Sequence, residues 1–268
     1  MTRSTVTTVA VGDALEAFRD TTPLVQCLTN IVVAQWTANL LLAAGAAPAM
    51  VDNAHEAGDF ARIAGGVLVN LGTPYDETAG AMRLAAAAAA DAGTPWVLDP
   101  VAAGGLRWRT DLAIELLGAS APTIVRGNAS EVLALAGGAG GKGVDATDSP
   151  EAAAGVARTL ARDRMTVVAV SGPTDHLTDG DRMVLVSNGH EWLTRVTGVG
   201  CSLGALMAGF AAAVDDPLLA AVAATAMLTV SAEHAVATTR GPGGFASALL
   251  DELSLLTPAT LAAEVRLG

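Results

Sequence analysis

The chain has 268 residues, of which 51% are hydrophobic and 16% are charged, and its net charge is −12. This length fits one large α/β domain or two small ones, and the acidic balance without a basic stripe excludes nucleic acid as an expected partner. The two cysteines, Cys27 and Cys201, are far apart in the sequence, so neither a zinc site nor a disulfide framework is predicted.

Apolar runs alternate with helical patterns along most of the chain. The predicted strands cover residues 23–28, 47–51, 66–70, 95–98, 122–125 and 166–170, with an outer strand at 182–187. The predicted helices cover residues 30–44, 54–63, 75–92, 107–117, 129–136 and 149–162, and a glycine-rich loop at 137–148 is predicted to be mobile. Such alternation with nearly all-apolar strands is typical of an α/β fold with a mostly parallel central sheet and helices on both faces. We therefore predict one domain over residues 1–268.

A glycine pair precedes a long apolar run near residue 200, where the sequence reads VTGVGCSLGA over residues 196–205. Gly198 and Gly200 accept backbone dihedrals that other residues avoid, and the following run predicts a helix. A helix N-terminus offers free N–H donors and a partial positive charge, which suits phosphate. Cys201 would lie at that anion site, although a plain turn before a helix explains the glycines too. The motif is not a dinucleotide fingerprint, because Leu203 replaces the third glycine.

Polar side chains follow several of the predicted strands, and ligands of parallel sheets bind beyond the carboxyl ends of the strands. These side chains are Thr29, Asn30, Asn70, Asp99, Arg126, Asn128 and Ser171. Each one alone is equally well explained as a helix cap, a turn or a surface ion pair. Their shared position at one edge of the sheet predicts a ligand site there.

Asp99 and Glu131 are the best metal candidates, because Mg²⁺ prefers oxygen ligands and one or two carboxylates suffice. A capping box explains Glu131 equally well, since it follows Asn128 by three residues. Arg126 follows a buried strand and could neutralise a nucleotide phosphate, or form a surface ion pair.

Five segments together resemble a known family. They are CLTN at 27–30, PAM at 48–50, LDPVAAG at 98–104, VRGNASE at 125–131 and TGVGC at 197–201. In this order and spacing they resemble the hydroxyethylthiazole kinase family of the ribokinase-like superfamily, over residues 23–250. The resemblance implies a ribokinase-like fold and phosphorylation of the alcohol of 4-methyl-5-(2-hydroxyethyl)thiazole by ATP with Mg²⁺, in thiamine salvage.

The resemblance also implies the roles of individual residues. The thiazole would be bound by Met50, Gly198 and Asn30, and ATP by Arg126 and Ser171, with Asp99 and Glu131 near the metal. The catalytic group would be Cys201 with Gly198 and Gly200, whose amides stabilise the transferring phosphoryl group. Cys201 would orient the alcohol or act as a weak base, where sugar kinases of this fold carry Asp. The family often has Thr at the position of Ser171, so the hydroxyl is kept.

The remaining expectations concern assembly and location. The resemblance implies a homotrimer with sites between subunits. The N-terminal segment lacks the features of a signal peptide, so a cytoplasmic protein is expected. The apolar segments 203–214 and 217–230 are shorter than a membrane span and are predicted to form a buried helical hairpin. Two alternative functions stay open: a non-catalytic sensor of thiazole or nucleotide, and another ribokinase-like kinase of small molecules.

Overall fold

A computed structural model describes residues 5–137 and 150–268 of the chain. Eight strands form one sheet, in the order β2-β1-β3-β4-β5-β6-β7-β8. The strands are β1 (Leu24–Leu28), β2 (Ala47–Ala49), β3 (Gly66–Asn70), β4 (Trp96–Asp99), β5 (Ile124–Asn128), β6 (Val167–Ser171), β7 (Asp175–Thr178) and β8 (Met183–Val186). Strands β1 to β6 are parallel, whereas β7 and β8 are antiparallel to their neighbours. The predicted mostly parallel sheet is confirmed.

The helices divide between the two faces of this sheet. They are α1 (Thr8–Thr21), α2 (Ala34–Ala44), α3 (Ala57–Ile63), α4 (Asp76–Ala92), α5 (Arg107–Ala119), α6 (Ala129–Gly137), α7 (Pro150–Arg164), α8 (Val199–Ala213), α9 (Pro217–Thr238), α10 (Pro242–Leu255) and α11 (Pro258–Glu264). Helices α3 to α7 contribute to one apolar cluster, and α1, α2 and α8 to α11 contribute to the other. The prediction of helices on both faces is thus confirmed.

Each central strand contributes to both clusters because successive side chains of a strand point to opposite faces. In β3, Val67 and Val69 belong to the cluster under α3 to α7, whereas Leu68 belongs to the cluster under α8. A strand buried on both faces needs apolar residues throughout. The alternation explains why these strands are continuous apolar runs in the sequence.

Several element boundaries differ from the predictions. Helix α1 was not predicted, although Val11, Leu15 and Phe18 lie on one buried face at helical spacing. Strand β7 was missed as well. Strand β5 continues to Asn128, so Arg126 lies within the strand and pairs in register with Ala169 of β6. Of the predicted loop, only Gly137 is described, and it ends α6; the rest lies outside the described residues.

The predicted length of the last long apolar helix is wrong. Helix α9 spans 22 residues instead of the predicted 14 residues of segment 217–230, so by length and composition alone it could cross a membrane. Within the fold, however, 78% of its most apolar window is buried. Its apolar character is therefore explained by its central position in the core, packed between α8 and α10.

The outer edge of β8 is paired with residues 266–268. Leu185 N donates to Gly268 O at 2.9 Å, and Gly268 N donates back to Leu185 O at 3.1 Å. Leu267 forms an antiparallel bridge with Val186. The sheet edge therefore has hydrogen-bond partners on both sides of β8.

A histidine connects the three last helices and makes stability pH-dependent. The ring nitrogens of His234 lie 2.6 Å from Glu264 Oε2 and 3.5 Å from Glu252 Oε2. The hydrogen bond to Glu264 raises the pKa of His234 above its ordinary value of 6.5. The stabilisation is therefore complete below about pH 6.5 and is lost as the pH rises through the raised folded-state pKa.

We expect His234→Gln to lower the melting temperature by about 2 °C at pH 6 and by less at pH 9. Thermal unfolding followed by circular dichroism at both pH values measures this difference. Arg266→Gln is the matched control, because the pairing of Arg266 with Glu233 involves a permanent cation. Its effect is expected to be equal at the two pH values, and an equal effect of His234→Gln would contradict the prediction.

Candidate active site

The N-terminus of α8 lies at the carboxyl ends of the parallel strands. Gly198 is the N-cap of α8, with φ 93°, a left-handed conformation that favours glycine. Helix α8 packs closely on the sheet, since a Cβ at Gly204 would lie 2.8 Å from Leu68 of β3. The first amides of a helix have no acceptor within the helix. The helix predicted after the glycine motif is therefore confirmed, and its N-terminus faces this edge of the sheet.

Arg126 joins three elements at this edge of the sheet. Its Nη2 donates to Ser171 Oγ at 3.1 Å, at the end of β6. Its Nη1 lies 3.6 Å from Asp99 Oδ2, at the end of β4. A Cβ at Gly200 would lie 3.2 Å from the guanidinium, so α8 begins directly over it. The side chain is 13% exposed, which rules out an ordinary surface ion pair.

Asp99 is fully buried and only partly paired. Its Oδ2 accepts a hydrogen bond from Asn70 Nδ2 at 2.7 Å, whereas its Oδ1 has no partner among the described residues. Burial raises the pKa of Asp99 to about 7, against the opposing effect of the Arg126 charge. A buried oxygen without a partner is costly unless a ligand or a proton satisfies it.

Cys201 is connected to Asp99 through two asparagines. Asn30 Nδ2 donates to Cys201 Sγ at 3.5 Å and to Asn70 Oδ1 at 2.9 Å. Asn30 therefore does not cap α2, which begins four residues later. Burial, followed by the Asp99 charge, raises the pKa of the Cys201 thiol. At neutral pH the sulfur is consequently a protonated thiol.

Glu131 forms a capping box, as the spacing allowed. Its Oε2 accepts from Asn128 N at 2.8 Å, and Asn128 Oδ1 accepts from Glu131 N at 2.9 Å. Its Oε1 accepts from Ala102 N at 2.9 Å, which fixes the turn after β4. The negative charge of Glu131 also raises the pKa of Asp99. Glu131 thus has a structural function, and each of its oxygens keeps one lone pair for a further ligand.

Met50 lies further out along the sheet than the other predicted site residues. It follows β2, whereas Asn30 follows the neighbouring strand β1. Its exposed fraction is 37%, and Ile31 and Val32, which follow β1, are 75% and 65% exposed. The end of the candidate site near β1 and β2 is therefore open and apolar in the single chain.

Two buried residues of the site had no predicted role. Asn70 was predicted only as one of the polar residues at strand ends, and its role depends on its register with Asp99 in the sheet, which no sequence signal revealed. Asp175 begins β7, and its Oδ1 accepts from Gly172 N at 3.1 Å. Burial raises the pKa of Asp175 to about 6, against the backbone hydrogen bond of Gly172 and the Arg126 charge. No sequence signal identified Asp175, because β7 itself was not predicted.

A cavity of about 520 Å³ lies at the opposite edge of the sheet, before β5 and β6, and Pro122 and Thr166 are among its lining residues. Two of its three carboxylates, Asp179 and Asp216, are paired with Arg182 at 2.8 and 2.7 Å. This cavity is therefore separate from the polar residues that converge at the carboxyl ends of the strands.

Comparisons with known proteins identify the family of this chain. The sequence profile described as the hydroxyethylthiazole kinase family matches residues 15–259. The chain belongs to the hydroxyethylthiazole kinase family. Hydroxyethylthiazole kinase from Cutibacterium acnes is 59% identical over 249 residues, which cover 92% of this chain and 90% of that protein.

One solved structure supports the same family, and another supports the fold. The structure of a hydroxyethylthiazole kinase protein from Pyrococcus horikoshii has a TM-score of 0.90 at 36% identity, covering 96% of this chain and 98% of that one. A ribokinase-like superfamily protein from Enterococcus faecalis has a TM-score of 0.63 at 10% identity, covering 94% and 96% of the two chains. The second likeness concerns the fold alone. The family member described here is thus a kinase with a ribokinase-like fold.

Proposed function

We propose that this kinase transfers the terminal phosphoryl group of ATP to the hydroxyl of hydroxyethylthiazole, in thiamine salvage, at the carboxyl ends of the parallel strands. One observation carries the proposal: polar contacts connect Cys201 to Ser171 without a break, through Asn30, Asn70, Asp99 and Arg126. At one end of this series, Cys201 lies in the first turn of α8, and at the other end Ser171 is the last residue of β6. One site can therefore hold an alcohol at one end and a triphosphate at the other.

The nucleotide end contains the positive charge that a triphosphate needs. Arg126 Nε is buried and has no partner among the described residues, so this donor is free for a phosphate oxygen. The hydroxyl of Ser171 lies beside the same guanidinium. The first amides of α8, from Val199 to Cys201, would stabilise the charge that develops on the transferring phosphoryl group. One such preorganised donor accelerates a reaction by roughly 10²- to 10³-fold.

The carboxylate oxygens of Asp99 and Glu131 fit a magnesium ion as ligands. Asp99 Oδ1 is a buried carboxylate oxygen without a partner among the described residues, and hard oxygen ligands are those that Mg²⁺ prefers. Asp99 would hold the ion, and the remaining lone pairs of Glu131 could bind it directly or through water. Bound there, Mg²⁺ would neutralise charge on the ATP phosphates. No group of three or more His, Cys, Asp or Glu that could hold a metal occurs in the described parts of the chain. Mg²⁺ commonly keeps several waters and binds substrate phosphates, so phosphate and water oxygens would complete its ligand set.

The acceptor end positions the alcohol rather than deprotonating it. Cys201 is a neutral thiol near Asp99, so we assign it an orienting role. In the transfer, a bond forms between the alcohol oxygen and the terminal phosphorus while the bond from that phosphorus to ADP breaks. The alcohol proton leaves to a phosphoryl oxygen or to water. Phosphoryl transfer has a loose transition state, for which position and charge matter more than a strong base.

The thiazole ring would lie between Gly198, Asn30 and Met50. The exposed apolar residues near Met50 favour a site completed by another subunit, because exposed apolar surface tends to bind a partner. Because the family resemblance implies a homotrimer, we propose a homotrimer with sites between subunits, and we propose that it is cytoplasmic. Size-exclusion chromatography with light scattering measures the number of subunits.

An assay of ADP release tests the proposed function. The purified chain is supplied with ATP and Mg²⁺, with and without 4-methyl-5-(2-hydroxyethyl)thiazole. ADP release that depends on the thiazole alcohol supports the proposal. Thiazole binding without ADP release would indicate a sensor, and release only with another small alcohol would indicate another ribokinase-like kinase.

Variants of Cys201 test the orienting role. We expect Cys201→Ser to keep kcat within about tenfold of the parent, because a hydroxyl is also a neutral hydrogen-bonding group. Cys201→Ala is expected to lower kcat further. Cys27→Ala is the matched control, since Cys27 is buried in the core under α8 and should leave kcat unchanged. A Cys201→Ser chain with no turnover would contradict the orienting role.

A further inference from the structure

Asn70 occupies the centre of the candidate site without belonging to either end of it. Its side chain is completely buried at the end of β3. Its Nδ2 donates to Asp99 Oδ2 at 2.7 Å, and its Oδ1 accepts from Asn30 Nδ2 at 2.9 Å and from Gly72 N at 3.0 Å. One side chain thus touches the last residue of β4 and the turn residues that follow β1 and β3.

The direction of these hydrogen bonds is fixed by their partners. The Gly72 amide can only donate, so it requires the carbonyl oxygen of Asn70 on its side. The Asp99 carboxylate can only accept when ionised, so it requires the amide nitrogen on the other side. Asn70 pairs in register with Asp99 in the parallel sheet, which keeps the two side chains on the same face. A flipped amide would break all three hydrogen bonds.

We propose that Asn70 is a positioning residue, which holds the Asp99 carboxylate and the Asn30 amide in a fixed relation to each other. Its hydrogen bond occupies Oδ2 of Asp99 and so leaves Oδ1 as the free oxygen. Its carbonyl oxygen orients the Asn30 amide, whose nitrogen contacts Cys201. Asn70 therefore couples the acceptor end to the nucleotide end, and this inference rests on the proposed function.

Asn188 provides a matched control outside the site. It is also a buried asparagine with three hydrogen bonds: its Nδ2 donates to Glu233 Oε2 at 3.0 Å and to Glu264 O at 3.1 Å, and its Oδ1 accepts from Arg266 N at 2.7 Å. These bonds hold the C-terminal residues against β8. Asn188→Ala should therefore destabilise the fold about as much as Asn70→Ala without touching the site.

Steady-state kinetics of the two alanine variants test the proposal. We expect Asn70→Ala to lower kcat by about 10²-fold and to change KM for ATP and for the thiazole by less than about threefold. We expect Asn188→Ala to keep kcat within about twofold of the parent. Asn70→Asp keeps the size of the side chain but removes the donor to Asp99, and it should lose kcat too. Asn70→Asp replaces Asn70→Ala in the test if the alanine variant does not show cooperative unfolding and is therefore not folded. Equal kcat for the Asn70 and Asn188 variants would overturn the proposal, as would a loss confined to KM.

A second measurement does not depend on kinase activity. Iodoacetamide should label Cys201 and not the buried Cys27. Donation from Asn30 stabilises the reactive thiolate, so Asn70→Ala is expected to slow labelling by about tenfold, and Asn188→Ala to leave the rate unchanged. A parent chain without thiazole-dependent ADP release would refute the proposed function. An unchanged labelling rate in Asn70→Ala would refute the positioning role.

Discussion

Asp99→Asn is expected to abolish nearly all turnover, with kcat lowered by about 10³-fold. The substitution keeps an oxygen that can accept from Asn70, but it removes the charge beside Arg126 and the free carboxylate oxygen. ADP release measured at saturating ATP and thiazole gives the size of the loss. The variant should bind hydroxyethylthiazole nearly as well as the parent, because the thiazole contacts do not include Asp99.

The same variant should lose little stability. Burial raises the folded-state pKa of Asp99 to about 7, above the ordinary value of 3.8, so the stabilisation from its proton is lost as the pH rises between these values. At pH 8 the Asp99 carboxylate of the parent is ionised, and its buried charge lowers the stability of the fold. The neutral amide of Asp99→Asn removes this cost. Asp179→Asn is the matched control, since Asp179 is 5% exposed and pairs with Arg182 away from the site. We expect Asp179→Asn to lose more stability and to retain kcat, and the opposite ranking would contradict both assignments.

Gly198→Ala is expected to lower kcat by about 10²-fold through displacement of the first amides of α8. An added Cβ would lie 2.8 Å from Val33 Cγ1 and 2.9 Å from Trp36 Cδ1, so the helix N-terminus or α2 must shift. The left-handed backbone of Gly198 adds strain for any other residue. Kinetics and thermal unfolding of the purified variant measure both effects.

Gly93→Ala separates backbone strain from the effect on the site. Gly93 also has a left-handed backbone, with φ 74°, and an added Cβ there meets no atom of the described residues within 4 Å. It ends α4, on the other face of the sheet. We expect Gly93→Ala to cost about 1 kcal/mol of stability and to leave kcat unchanged. Full activity in Gly198→Ala would show that the α8 amides do not contact the reacting phosphate.

The architecture could be predicted from the sequence because the core strands are all surrounded by apolar side chains. Each is buried on both faces, so each is an uninterrupted apolar run between helical patterns. Strand β7 shows the limit of this rule. It reads Asp175-His176-Leu177-Thr178, and its polar residues are buried by contacts that no local pattern reveals. Helix α9 shows another limit. A helix that is buried on all sides has no apolar periodicity, so the sequence pattern does not show where the helix ends.

The sequence was enough to predict which residues lie at the candidate site, but not how their side chains contact each other. The rule that ligands bind beyond the carboxyl ends of parallel strands placed Asp99, Arg126 and Ser171 together. The reciprocal cap of Glu131 with Asn128 was visible in the spacing, yet only the coordinates show that the other oxygen of that carboxylate accepts from Ala102 N. The central position of Asn70 depends on strand register, which a single sequence does not specify.

The pairing of residues 266–268 with β8 has a consequence for solution behaviour. A free strand edge offers unpaired N–H and C=O groups to any other chain, and such edges promote aggregation. Here Gly268 pairs with both the N–H and the C=O of Leu185, and Arg266 O accepts a hydrogen bond from Ser187 N. Residues 266–268 therefore shield this edge of the sheet from intermolecular β-pairing, although they lie outside the candidate site.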